Sequence, residues 1–263
     1  MISLKNINYS IGKTEILKNI NLSFKSGAFN IILGANGAGK STLLKIVAGA
    51  LKASSGEVFY NQKALKSISS RELAQTRAVL SQSVDIVFPL SLEEVVLMGR
   101  YPHNASAPKS IDRKIATAAL EAVDLPHKRD QNFMTLSGGE KQKGHAARVL
   151  AQINFTEQSD KERVLFLDEP TSNLDIRVQL QILNLVQSLI PKNITIIAVL
   201  HDLNTAFEYG THFFFMKAGE LIAEIDNPYT INSKIISDVY GVKASPFSEN
   251  AQNSPQWVFK LED

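Results

Sequence analysis

Three segments, Ile2 to Tyr9, Ile20 to Phe24 and Gly56 to Tyr60, alternate apolar and polar residues between turn formers. A period of two puts one side of each segment on a core and the other in water, which predicts a small antiparallel lobe. Phe29-Asn-Ile-Ile-Leu33 and Val164-Leu-Phe-Leu167 are instead short and almost wholly apolar, as are the runs from Ile194 and Phe213. Such runs predict parallel strands covered on both faces. Between them the period becomes helical over Lys40 to Leu51, Ser91 to Arg100, Ile111 to Val123, the segment running toward Leu150, Ile176 to Leu189 and Ser233 to Tyr240. Ser91 and Glu94 have the spacing of a capping box. Parallel strands alternating with helices predict an α/β core, into which the helical stretch of about 88–155 is inserted as a subdomain of a single domain, residues 1–243. The tail, residues 244–263, is rich in Ser, Asn and Pro, and Trp257-Val-Phe259 within it offers an edge strand.

Composition narrows the classes. With 263 residues, 44% of them hydrophobic, the chain can bury one large core or one core and a smaller lobe. No apolar stretch approaches the roughly 18 residues that span a bilayer, and Met1-Ile-Ser-Leu-Lys5 lacks a signal-peptide pattern. A membrane component, if one is needed, has to come from another chain. The absence of cysteine excludes disulfides and cysteine metal sites. A formal net charge of +2 gives no argument for nucleic acid or anionic lipid as a partner.

Candidate chemistry begins at the turn after Leu33. Gly34, Ala35, Asn36, Gly37, Ala38, Gly39, Lys40, Ser41 and Thr42 follow the phosphate-loop pattern between a predicted strand and a predicted helix. The glycines let the backbone curl with its N–H groups inward, and the helix start adds partial positive charge, so the loop suits the phosphates of a nucleoside triphosphate. Lys40 would reach the β- and γ-phosphates and Ser41 would ligate Mg²⁺. A second site is expected at the polar end of the run Val164 to Leu167, where open α/β sheets bind ligands. There Asp168 would hold Mg²⁺ and Glu169 would polarise water as general base. Alone, an Asp-Glu pair after a strand reads more often as a solvated loop, and the phosphate loop upstream reverses that preference.

Leu136-Ser-Gly-Gly-Glu-Lys-Gln142, about 100 residues after the phosphate loop, resembles the signature of ABC-type ATPases. Other strings are similar in the family's order: Gln82 in Leu80-Ser-Gln-Ser83 resembles the Q-loop glutamine, Ser172-Asn-Leu-Asp175 the D-loop, and His201 in Val199-Leu-His-Asp202 the switch histidine. The resemblance covers nearly the whole chain. It implies a P-loop ATPase core with an antiparallel β lobe and a helical signature subdomain, and it implies a C₂ dimer of two copies sandwiching two ATP molecules. In that dimer Ser137, Gly138 and Gly139 would face the partner's γ-phosphate from a helix start. Gln82 would contact Mg²⁺, His201 the γ-phosphate and attacking water, and Asp175 would couple the two sites. The aromatic that family members stack on adenine has no clear counterpart: the alignment places Ile11 there, with Tyr9 two residues away. The remaining histidines, His103, His127, His145 and His212, are expected to be structural or exposed.

Phe88 to His103 further resembles the stretch after the Q-loop in ATPases of iron-chelate, heme and cobalamin importers. The longer polar crossing Asn154 to Arg163 and the segment Gly144 to Gln152 resemble the heme group more than the siderophore group. Transmembrane permease subunits, an indirectly acting substrate-binding protein and a peripheral place on the cytoplasmic face of the inner membrane are what this resemblance implies. No nucleic acid is expected as partner.

Overall fold

The computed structural model describes residues 1–81, 86–104, 107–157, 159–170, 174–247 and 256–261. It divides into two compact units, one made of Met1–Ser67 with Ile197–Asp263 and the other of Ile68–Ile196.

The first unit opens with β1 (Ile2–Ile11) and β2 (Thr14–Phe24), continues through β3 (Phe29–Gly34) and α1 (Lys40–Val47), and reaches β4 (Ser55–Tyr60) and β5 (Lys63–Ala64). β2, β1, β4 and β5 lie in that order as the expected antiparallel lobe. Its inward face changes phase along the strands: Ile2 and Leu4 are buried, then Ile7; Leu17 is buried, then Ile20, Leu22 and Phe24. The cause is a pair of bulges. Asn6 and Asn19 adopt left-handed backbone, at φ 51 and 49, and the β1–β2 register shifts between Leu4 and Ile7. The amide side chains stabilise the kinks, with Asn8 Oδ1 accepting from Asn19 N–H at 2.7 Å and Asn21 Oδ1 from Asn6 N–H at 2.9 Å. α1 stops at Val47, earlier than periodicity suggested, because Ala48 closes the last turn and Gly49 follows at φ 73.

The second unit contains α2 (Ser70–Thr76), β6 (Arg77–Leu80), α3 (Leu92–Met98), α4 (Ser110–Ala122), α5 (Gly138–Gln152), β7 (Arg163–Asp168), α6 (Ile176–Gln187) and the first half of β8 (Ile194–Val199). Its strands lie in the order β8, β7, β6, with β6 and β7 parallel. Every residue of β7 is buried, as a strand covered on both faces requires. The helices α3, α4 and α5 are knotted together by buried Arg100, which donates from Nε to Asp112 Oδ1 at 2.9 Å and from Nη1 to the Ala151 carbonyl at 2.6 Å. Asp112 in turn accepts from the Lys109 N–H at 2.8 Å, so both charges of the pair are satisfied.

The chain then returns to the first unit through α7 (Leu203–Tyr209), β9 (His212–Lys217), β10 (Glu220–Ile225), α8 (Ser233–Tyr240), β11 (Val242–Phe247) and β12 (Gln256–Leu261). There β9 pairs parallel with β3 and antiparallel with β10, while the second half of β8 lies on the other side of β3. Phe213, Phe214 and Phe215 on β9, with Phe24 and Phe29, fill the core. Trp257 does start a strand's apolar pattern, but β12 pairs with β11 in a two-stranded ribbon of its own. The ribbon is pinned to α7, where Asn204 Oδ1 accepts from Trp257 N–H at 2.8 Å and Asn204 Nδ2 donates to the Trp257 carbonyl at 3.2 Å. α2, β6, α7 and β10 are too short or too mixed in pattern to have been expected.

Candidate functional site

In the first unit the glycine-rich turn joins β3 to α1, as its sequence demands. Gly34 sits at φ 155 against the Met216 carbonyl oxygen, where an added Cβ would lie 2.3 Å from that oxygen. Gly39 sits at φ 94, and a Cβ there would lie 2.9 Å from the Ile16 carbonyl. Only glycine fits either place, and the curled backbone follows. Buried Lys40 folds back so that Nζ donates to the carbonyls of Gly34 at 2.8 Å and Ala35 at 3.0 Å. The far side of the loop is tied down by the Gly219 N–H, which donates to the Ala38 carbonyl at 3.2 Å.

The start of α1, like that of α4, lacks a side-chain cap bond, and it alone of the two follows a curled glycine loop. Its N-cap is Gly39, which has no side chain to accept from the first turn, whereas α3, α5, α6, α7 and α8 are capped by Ser91, Ser137, Asp175, Asp202 and Asn232. A helix start without a side-chain acceptor, preceded by a curled glycine backbone and holding a buried lysine, is suited to an anionic phosphate. Ser41 and Thr42 stand in the first turn of this helix, and Asn36 and Gly37 form the outer turn of the loop. His201 lies two residues past the end of β8 and is exposed, with Asp202 beside it capping α7 by accepting from the Thr205 N–H at 2.6 Å.

In the second unit Asp168 ends β7 as a buried carboxylate. Glu169 follows at φ 52, a left-handed conformation that costs a glutamate energy and that the surroundings must hold in place. One support is visible: Gln142 Nε2, from α5, donates to the Pro170 carbonyl at 3.1 Å. Sequence reasoning had no signal for this contact, which joins residues 28 apart.

α5 itself begins at the predicted signature. Ser137 is its exposed N-cap, accepting on Oγ from Glu140 N–H at 3.4 Å, while Glu140 Oε2 accepts from the Ser137 N–H at 2.9 Å. Lys128 also bonds Glu140. The Lys128 ammonium, then the Ser137 N–H, hold the Glu140 carboxyl down to a pKa of about 2. No atom outside the helix's own neighbourhood comes within 4 Å of where a Gly138 Cβ would stand, and the nearest to Gly139 is Val178 Cγ2 at 3.6 Å. The capped helix start is thus uncrowded at its two glycines among the described residues. Asp175 accepts from the Val178 N–H at 3.0 Å as the N-cap of α6.

Gln82, Ser172 and Asn173 lie outside the described residues. Of the two adenine candidates, Ile11 is exposed and Tyr9 half-buried. His145 is buried, edge-on to the Phe133 ring at 5.0 Å; His103 Nε2 lies 2.7 Å from the Gln152 carbonyl; His212 pairs with Glu224 at 3.4 Å; His127 is exposed.

The crossing from α5 to β7 is built around one side chain. Buried Arg163 donates from Nη1 to the carbonyls of Ile153 at 2.8 Å and Asn154 at 2.6 Å, and from Nη2 to those of Glu157 at 2.8 Å and Lys192 at 2.9 Å.

Residues 17–172 match the family model described as ABC transporter. The chain is 37% identical over 245 residues to the hemin import ATP-binding protein of Bradyrhizobium diazoefficiens, spanning 93% of this chain and 90% of that protein. It is 39% identical to the protein of the same description from Rhodopseudomonas palustris, over 89% and 86% of the two chains. A dimeric ATP-binding cassette solved in a post-hydrolysis state with ADP and phosphate superposes with a TM-score of 0.72 at 29% identity, covering 86% of this chain and 98% of that one.

Proposed function

The chain belongs to the ABC transporter family of ATP-binding subunits, and from that premise we propose that it hydrolyses ATP to power the import of hemin. The cargo rests on a single observation, the hemin-import description shared by relatives at this identity over most of their length. The long crossing gathered around Arg163 agrees with it. Nucleotide hydrolysis coupled to transport is common to the family, so that part holds whatever the cargo.

Within this reading, Gly34 to Thr42 cradle the phosphates of ATP, with Lys40 exchanging its loop carbonyls for phosphate oxygens. Ser41, Asp168 and Gln82 offer a hydroxyl, a buried carboxylate and an amide oxygen, hard donors that suit Mg²⁺. When bound, that ion would neutralise charge developing on the phosphates. Glu169 accepts a proton from the attacking water. His201 orients the γ-phosphate and the water. Ser137, Gly138 and Gly139 present their helix start to the nucleotide of a second copy, and Asp175 links the two copies in a C₂ dimer, the assembly state of the similar ADP-bound cassette. Tyr9 or Ile11 supports adenine.

Residues 1–243 then act as one ATPase domain whose helical part, about 88–155, engages transmembrane permease subunits. The protein would sit peripherally on the cytoplasmic face of the inner membrane, with a substrate-binding protein delivering cargo from the other side. Among the described residues no helix is long and apolar enough to cross a membrane.

The test is the ATPase rate of the chain reconstituted with its permease, comparing hemin-loaded, siderophore-loaded and empty binding protein. Stimulation by the hemin-loaded form alone is expected. Stimulation by a siderophore or cobalamin would keep the mechanism and replace the cargo, and no stimulation by any would overturn the transport reading.

A further inference from the structure

We propose that Tyr240 is a positioning residue for the phosphate loop, fixing its first residue from the end of α8. The Tyr240 hydroxyl oxygen accepts from the Gly34 N–H at 2.9 Å, across 206 residues of sequence. Gly34 is both the last residue of β3 and the first of the loop, buried and seated on the Met216 carbonyl oxygen. One neighbour therefore fixes its Cα side and the phenol fixes its N–H. Any rotation of the peptide that would redirect the loop's later N–H groups has to break this bond.

The phenol is itself held. Gly241 closes α8 in left-handed conformation at φ 67, donating to the Ser237 carbonyl at 2.8 Å, so the backbone at Tyr240 is at a defined helix end. Ile236 and Val239 on α8 are buried, Ile236 one turn before Tyr240 on the same face, and Lys217, the residue after Met216, donates to the Asp238 carbonyl. Burial pushes the Tyr240 pKa well above the ordinary tyrosine range, outweighing the Gly34 N–H, so the acceptor is a neutral phenol at every working pH. At its outer side the loop is tied by Gly219 N–H on the Ala38 carbonyl, which makes Tyr240 and Gly219 the two fixed ends of the curve. The inference rests on reading Gly34 to Thr42 as the nucleotide cradle.

The full-length Tyr240→Phe protein keeps the ring and loses the acceptor. ATP binding should weaken about three- to tenfold, the range of one neutral hydrogen bond. KM should rise with kcat within twofold, and the shift should be flat from pH 6 to 9. In ¹⁵N-glycine-labelled protein the Gly34 amide should lose exchange protection. Val239→Ala on the same helix is the control, since it destabilises α8 without touching the loop; it should lower the melting temperature and leave KM unchanged. Unchanged ATP affinity in Tyr240→Phe would overturn the proposal, as would an equal loss in Val239→Ala, which would make α8 merely structural. Lys40→Ala in the same titration separates the two readings: if it too binds ATP normally, the cradle assignment falls; if it alone fails to bind, only Tyr240 does.

Discussion

Lys40 donates to the carbonyl oxygen of Gly34, six residues before it, at 2.8 Å. The loop thus folds around its own cation, and the ammonium is buried before any phosphate arrives. Replacing it should remove charge-assisted bonds to phosphate together with its two bonds to the loop carbonyls. Lys40→Ala is expected to weaken ATP binding by about 1.5–3 kcal/mol, roughly 10- to 150-fold. A fluorescent-nucleotide titration showing parental affinity would contradict the assignment.

Glu169 sits at φ 52, and a side chain held at that backbone cost is expected to act where it points. Glu169→Gln should reduce ATP turnover 10²- to 10⁴-fold while ATP binding persists. Gel filtration of the variant with ATP should show a stable dimer. Half the parental rate would remove Glu169 from the role of base.

How much of this was readable from residues alone depended on distance along the chain. β3, β7 and β8 were legible because burial on both faces writes itself as a local apolar run, and the cradle and α5 because their glycines and caps are contiguous. The bulges at Asn6 and Asn19 left a trace too, a switch from even to odd apolar positions whose meaning needed the paired strand. Tyr240 left none. Its partner is 206 residues away, and a tyrosine ending an amphipathic helix looks like any half-buried ring. The Gln142 contact to Pro170 and the Arg163 contacts are equally invisible, since their acceptors are backbone carbonyls that carry no residue identity.

The start of α5 carries a pH dependence. Glu140 has its folded pKa depressed to about 2, below the ordinary value of 4.5, by Lys128 and the Ser137 N–H. A depressed carboxyl contributes stability that is present above its unfolded pKa and lost as pH falls through the folded one. The cap should hold at neutral pH and weaken progressively from about pH 4.5 down to about pH 2. Glu140→Gln should abolish that part of the acid profile. Thermal melts of both proteins between pH 6 and 3 would decide it, and parallel profiles would show that Glu140 titrates normally.

Arg163 satisfies four carbonyls with one buried guanidinium. Arg163→Met would strand several of them without donors, at a cost of about 3 kcal/mol. The melting temperature should fall by several degrees, and ATP affinity of the remaining folded protein should match the parent. A change in affinity without loss of stability would mean the crossing does something other than hold α5 to β7.

The discontinuity of the first unit has a consequence for synthesis. Phe29, at the start of the cradle strand, donates to the Thr211 hydroxyl, 182 residues later. At roughly 5–20 residues per second, β3 emerges from the ribosome and waits roughly 10 to 35 s for β9. Residues 68–196 are continuous and end before Thr211 is made. Released chains truncated at residue 205 should therefore yield a protease-resistant 68–196 fragment with 1–67 still digestible, and protection of both together would exclude this order. During that interval the apolar strand that will carry the phosphate loop lacks its β9 partner, so the segment translated first, residues 1–67, is the one that must be kept from aggregating longest.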